Sequence, residues 1–193
     1  MSRRQVEFAI GEYYHIYNRG SNRQHIFREH ENYSFLLRLL KMYALKLDVA
    51  VIAYCLMPNH YHLLVRQEGA TAARLLPQYV FNSYAKAFNR RYGRSGTLFE
   101  GPFKAIHIDR QEHLIHLCRY MHGNPVKDGM VATPEQWPYS NYLEWIGERA
   151  GTLFEPEFVK QNFVTGAEYR RFVYAYLEDA DVLPEDVKAY LIE

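Results

Sequence analysis

The sequence predicts an α+β fold: a ferredoxin-like split βαβ unit, an antiparallel sheet with helices on one face, followed by a C-terminal helical tail. Three observations carry this. Alternating stretches and stretches with three-and-four apolar spacing succeed each other in the order β-α-β-β-α-β-α. The second and third strand candidates are separated only by a breaker, which makes them a hairpin rather than a crossover. The 193 residues are 48% hydrophobic and 23% charged, the balance of an ordinary folded chain and not of a disordered one.

Residues 13–18 (Tyr-His-Ile-Tyr-Asn within them) alternate as a first strand, and Arg19-Gly20-Ser21-Asn22 reads as a turn. From 31 to 47, Leu36, Leu37, Leu40, Tyr43, Ala44 and Leu47 recur at helical spacing. Residues 49–55 are apolar and β-branched, a buried strand, which Met57-Pro58-Asn59 interrupts before a second strand over 60–66. A second helix is expected over 71–92, kinked or started late by Pro77, with a basic C-terminal end. The stretch 93–101 is glycine-rich, 103–109 alternates again, and 111–123 is a third helix that Gly123-Asn124-Pro125 should stop. A helical tail follows over about 156–162 and 166–179. The expected division is a main domain over residues 1–147 and a helical acidic extension over 148–193.

Composition narrows the function classes. No apolar run is long enough to span a membrane, and the first seven residues lack the apolar core of a secretory signal. Only two cysteines occur, Cys55 and Cys118, both in apolar stretches, so no disulfide framework is implied. A cytoplasmic location is the expectation. Charge is divided along the chain: 18 Lys and Arg against 12 Asp and Glu before residue 148, and 5 against 10 from it onward. Lys86, Arg90, Arg91, Arg94 and Lys104 form a basic block able to hold a polyanion, or else a solvated helix face. Seventeen tyrosines supply flat rings on which unpaired bases could stack, although most such rings serve cores.

His60 and His62 flank Tyr61 at the mouth of the third strand, and residues two apart share a face. Two neutral imidazoles side by side can chelate one divalent ion, or can simply be half-buried histidines. On the third helix, with Tyr120 at zero, His116, His113 and Asn124 fall within about 40° of it, while Leu114, Ile115, Cys118 and Met121 form an apolar side for the sheet. Asn124 offers a carbonyl oxygen suited to Mg²⁺ or Mn²⁺, or a plain C-terminal cap; Tyr120 offers a phenol nucleophile, or packing. Imidazoles also suit Zn²⁺. His107, His113 and His116 are further candidates for proton transfer. A metal facing a tyrosine would suit attack on a phosphodiester, leaving a 5′-phosphotyrosine and a free 3′-OH.

Met57-Pro58-Asn59-His60-Tyr61-His62-Leu63-Leu64-Val65 resembles the HUH strand of the single-tyrosine, IS200-like transposases. Arg119-Tyr120-Met121-His122-Gly123-Asn124-Pro125-Val126 resembles the tyrosine helix of their REP-associated branch, as do Tyr14-His15-Ile16-Tyr17-Asn18-Arg19-Gly20 and Gly101-Pro102-Phe103-Lys104. The resemblance spans about residues 8–146. It implies His60, His62 and Asn124 as ligands of Mg²⁺ or Mn²⁺, Tyr120 as the nucleophile, and single-stranded DNA, often beside a hairpin, as substrate. Tyr61 stands where the family has an aliphatic residue. Members with Gln as third ligand are dimers and the Asn branch can be monomeric, so both monomer and homodimer stay open. The competing reading is a non-catalytic ferredoxin-like module that binds single-stranded nucleic acid.

Overall fold

The computed structural model describes residues 6–179 and Val187; the N-terminal five residues and most of the end of the expected extension lie outside the described residues. Four strands, β1 (Tyr13–Arg19), β2 (Val49–Met57), β3 (His60–Gln67) and β4 (Lys104–Ile108), form one antiparallel sheet in the order β2-β3-β1-β4. This is the split βαβ order expected from the sequence. Helices α1 (His30–Leu47) and α2 (Leu75–Arg91) pack together on one face. Leu36, Leu40, Ala44 and Leu47 of α1 are buried there, each leucine worth about 2 kcal/mol of apolar burial. Asp48 closes α1 in a left-handed conformation (φ 53°). Pro77 neither kinks nor breaks α2. The helix starts at Leu75, so Pro77 falls in the first turn, where N–H groups have no helical partner.

Helix α3 (Gln111–Lys127) follows the split βαβ unit and lies across the other face of the sheet. Two expectations about it are corrected. The helix does not stop at Gly123-Asn124-Pro125 but runs one turn further. Pro125 removes a single hydrogen bond close to the helix end, and the Asp128 N–H still closes on the Asn124 carbonyl at 2.9 Å. Gly123 is there for packing: a Cβ would stand 3.1 Å from both the Tyr176 ring and Leu177. Nor does α3 meet the sheet with an apolar side alone. It is buried nearly all round, because α6 (Gly166–Glu178) covers its back, after the short helices α4 (Tyr142–Trp145) and α5 (Pro156–Asn162). Arg119 is buried with its guanidinium 4.4 Å over the Phe172 ring of α6, and His122 is held between the Tyr169 hydroxyl (2.6 Å) and Asn141 Oδ1 (2.9 Å).

The outer edge of β2 is closed by the segment before α4. Leu56 N–H donates to the Tyr139 carbonyl (2.9 Å), Tyr54 N–H to Asn141 Oδ1 (2.8 Å), and Asn141 Nδ2 to the Ile52 carbonyl (2.9 Å). Ile52 sits at the irregularity between Val51 and Ala53, where the ladder to β3 slips, and the Trp145 indole N–H shares its carbonyl (3.1 Å). A sheet edge left open is an aggregation hazard, and here one backbone carbonyl and the Asn141 and Trp145 side chains satisfy it. Among the described residues, no helix is long and apolar enough to cross a membrane.

Candidate active site

The pleat of β3 sorts its side chains. Tyr61 points to the α1–α2 face, where its ring stacks on Phe81 of α2 (3.7 Å between centroids), while His60 and His62 point to the α3 face. His60 Nδ1–H donates to Asn59 Oδ1 at 2.7 Å, which leaves the lone pair of its Nε2 turned inward. His62 Nδ1 lies 3.0 Å from Nε2 of His15 on β1. With the proton on His62 Nδ1, that bond likewise frees His62 Nε2. Burial first, then the charge of Arg19, lowers His60 to about 4; burial, then His15 and His60, holds His62 well below the usual imidazole range. Both rings are therefore neutral at pH 7, the form that ligates metal.

Helix α3 supplies the other two groups. The Asn124 amide terminus stands 3.2 Å from His60 Nε2 and 3.3 Å from His62 Nε2, with Nδ2 donating to the pair. Half a turn about its last torsion puts Oδ1 in that place instead. Adjacent ligands of one ion at about 2.1 Å stand about 3.0 Å apart, so the His-His-Asn set fits a divalent cation. Among the described residues, no three His, Cys, Asp or Glu side chains gather into a metal cluster, so the candidate centre depends on the amide. Tyr120, one turn before Asn124, has its ring edge-on to His62 at 5.6 Å and 6.5 Å from Tyr176 of α6. It is only 8% exposed. A phosphodiester reaches that phenol only if its surroundings yield.

The basic block is dispersed. Lys104, on β4, holds its ammonium 5.7 Å over the Tyr17 ring, and Tyr17 is the register partner of His62. Lys86, Arg90 and Arg91 belong to α2, behind the sheet; Arg91 pairs with Glu29 (2.6 Å), and Arg94 donates to Asn89 Oδ1 (3.0 Å). Arg90 and Arg91 with Arg38 rim a groove of about 420 Å³ between α1 and α2, floored by Phe35, Tyr84 and Phe88. Of the remaining histidines, His107 pairs with Glu12 (2.6 Å) at the surface, His113 is buried, and His116 lies against Phe172. Sequence reasoning missed His15 and Asn59 as the groups that orient the two imidazoles. His15 could have been found once β1 and β3 are paired: Tyr17 opposes His62, and His15 lies two residues along on the same face.

A sheet presents two oriented, neutral imidazoles, and a helix crossing it brings an amide and a phenol to them, a candidate centre built from four side chains. The matching family is the IS200-like transposases, over residues 10–124, a span that holds His60, His62, Tyr120 and Asn124. The chain belongs to this family of DNA-processing enzymes. Its fold is similar to that of a REP-associated tyrosine transposase bound to a REP hairpin, with a TM-score of 0.64 at 18% identity over 80% of this chain and 94% of that one. A putative transposase from Deinococcus radiodurans R1 gives 0.43 at 15% identity, over 64% and 95%. The tRNA(His) guanylyltransferase of Saccharomyces cerevisiae gives 0.46 at 8%, over 94% and 86%. Comparison with curated proteins gives no match.

Proposed function

We propose that this chain is a metal-dependent single-stranded DNA endonuclease and strand transferase that works through a 5′-phosphotyrosine at hairpin-containing DNA. The observation that carries this reading is the approach of His60 Nε2, His62 Nε2 and the Asn124 amide to within 3.3 Å, with Tyr120 against His62. His60, His62 and Asn124 would hold Mg²⁺ or Mn²⁺, and the bound cation would supply Lewis-acid polarisation of the scissile phosphate. The Tyr120 oxygen attacks phosphorus as the phenol gives up its proton. The P–O3′ bond breaks and the 3′ oxygen leaves as a hydroxyl. The phosphotyrosine conserves the ester, so a 3′-OH of another strand can reverse the step and join. Asn59 and His15 hold the imidazoles in the tautomer that keeps both Nε2 atoms inward.

The similar structure with a REP hairpin supports hairpin DNA as the partner, and Lys104 beside the site supports a phosphate contact there. Lys86, Arg90, Arg91 and Arg94 would hold more distant backbone. Residues 1–147 would carry the catalysis, in the cytoplasm. The test is a denaturation-resistant adduct from single-stranded hairpin DNA with Mn²⁺, lost in Tyr120→Phe. No adduct from any hairpin, or one that survives Tyr120→Phe, overturns the proposal. The burial of Tyr120 favours a second reading, a non-catalytic nucleic-acid-binding module. That reading has α3 lying where an open sheet surface would be wanted. It expects binding in His60→Ala equal to that of the unaltered chain, and no adduct from either.

A further inference from the structure

We infer that the loop from Ser21 to His25 is a base-reading element, whose Arg23, Gln24 and Asn22 side chains select unpaired nucleotides beside the scissile phosphate. This rests on the nuclease reading above and adds the origin of its sequence preference. The loop leaves β1 at Arg19, the register partner of His60. Gly20 N–H donates to the Asn59 carbonyl (2.7 Å), and the N–H groups of Ile26 and Phe27 both donate to the Pro58 carbonyl (2.8 and 3.0 Å). Ser21 N–H donates to the Leu98 carbonyl (3.0 Å). Both ends of the loop are thus tied to the turn that presents His60. Ile26 and Phe27 are buried as anchors.

Between these ties the backbone is strained. Asn22 and Arg23 both adopt left-handed conformations (φ 55° and 57°). Asparagine tolerates that region; for arginine it costs about 1 kcal/mol or more. Gly20 closes the loop so tightly that a Cβ there would stand 2.1 Å from the Gln24 carbonyl oxygen. Such strain persists where the surroundings over-determine it, and it concentrates at functional sites. The strain points side chains outward. Asn22, Arg23, Gln24 and His25 are all exposed, and no side chain among them hydrogen-bonds to the rest of the described residues. Arg23 feels the carboxylate of Glu100 only at a distance.

The residue types decide the ligand. Arginine pairs in bidentate fashion with the O6 and N7 of guanine, and asparagine or glutamine with the N6 and N7 of adenine. In a single strand those edges are free of a partner strand. A backbone-holding loop would need only cations. Here one cation stands among two carboxamides and an imidazole, a set suited to purine edges. The loop is held against the His60 turn, so the bases it meets are those next to the cleaved bond, not those of a remote stem.

The experiment uses the full chain, Mn²⁺ and a pool of oligonucleotides with one constant hairpin stem and four random unpaired nucleotides on each side. Covalently captured DNA is sequenced for the unaltered chain and for Gln24→Ala, His25→Ala and Arg23→Gly. Gln24 has ordinary extended backbone and an exposed side chain, and glycine relaxes position 23, so folding is not at stake. The expected result is a base preference at defined unpaired positions that falls about tenfold to a hundredfold at one position in Gln24→Ala or Arg23→Gly, while total adduct from the pool changes little. An unchanged preference in all three variants overturns the inference. So does a loss of adduct that is uniform across sequences, which would make the loop a backbone clamp. The same pool bound by a Tyr120→Phe chain separates this inference from the nuclease reading. A loop-dependent base preference in binding, with no adduct from the unaltered chain, supports the loop while the nuclease reading falls.

Discussion

Replacing His15 with leucine tests whether the imidazole pair is oriented from behind. His15 and His62 are both fully buried, and their ring nitrogens stand 3.0 Å apart. The leucine cannot accept, so the His62 Nδ1–H loses its partner in a place water does not reach. A buried donor left unsatisfied costs about 1–3 kcal/mol of stability. For metal binding the consequence is larger in kind. Without the acceptor His62 is free to carry its proton on Nε2, and a protonated Nε2 cannot ligate. Loss of such a supporting partner lowers metal affinity by about 10–100-fold. Mn²⁺ affinity by calorimetry and the urea midpoint, measured together, separate the two effects. His15→Gln, which retains an acceptor, is expected to recover part of the affinity. Unchanged Mn²⁺ affinity in His15→Leu, with a normally folded chain, would refute the reasoning.

Three further outcomes follow from the structure. Burial lowers His122 to about 4, against 6.5 in the unfolded chain, so the unfolded state takes up a proton that the folded state refuses. That contribution is intact above pH 6.5 and fades as the pH falls to about 4, by about 3 kcal/mol; denaturation of the unaltered chain and His122→Leu at pH 7.5 and 4.5 should show a smaller acid loss in the variant, and an equal loss would contradict it. Asn141→Ala removes two buried hydrogen bonds to the β2 edge and one to His122 and should cost about 3 kcal/mol, lowering Tm by about 10 °C, where a shift under 2 °C would show the edge is otherwise held. Single-stranded DNA binding should weaken steeply with salt, and Arg90→Ala should reduce the log–log slope by about 0.7; a flat profile would exclude the α1–α2 groove as a phosphate site.

The strand and helix order was legible because most elements carry apolar residues at a clear period and β2 is a continuous apolar run, and so was the alternation that sets His60 and His62 apart from Tyr61. The extra turn of α3 was not, since Gly-Asn-Pro carries the local chemistry of a stop; only the close approach of α6 explains a glycine there. Arg119 and His122 were illegible for a related reason. Their roles are long-range, one against Phe172 and the other between Tyr169 and Asn141, and no local spacing encodes a partner 19 to 53 residues away. His15 needed strand register, which periodicity alone does not supply. The sequence placed the basic residues in one block, but the fold carries Lys104 to the imidazole side and Arg90 and Arg91 to the other.

The two-sidedness of β3 has a practical consequence for making the protein. A one-residue slip of that strand against its neighbours would drive both imidazoles into the oily layer beneath α2 and turn the Tyr61 ring out toward α3. On the proposed function, no misaligned molecule can keep a sound interior while losing only the proposed cation site, or the reverse. Titration with Mn²⁺ therefore doubles as a quality test of refolded preparations: the fraction of chains that take up the ion should equal the fraction whose strands are correctly aligned.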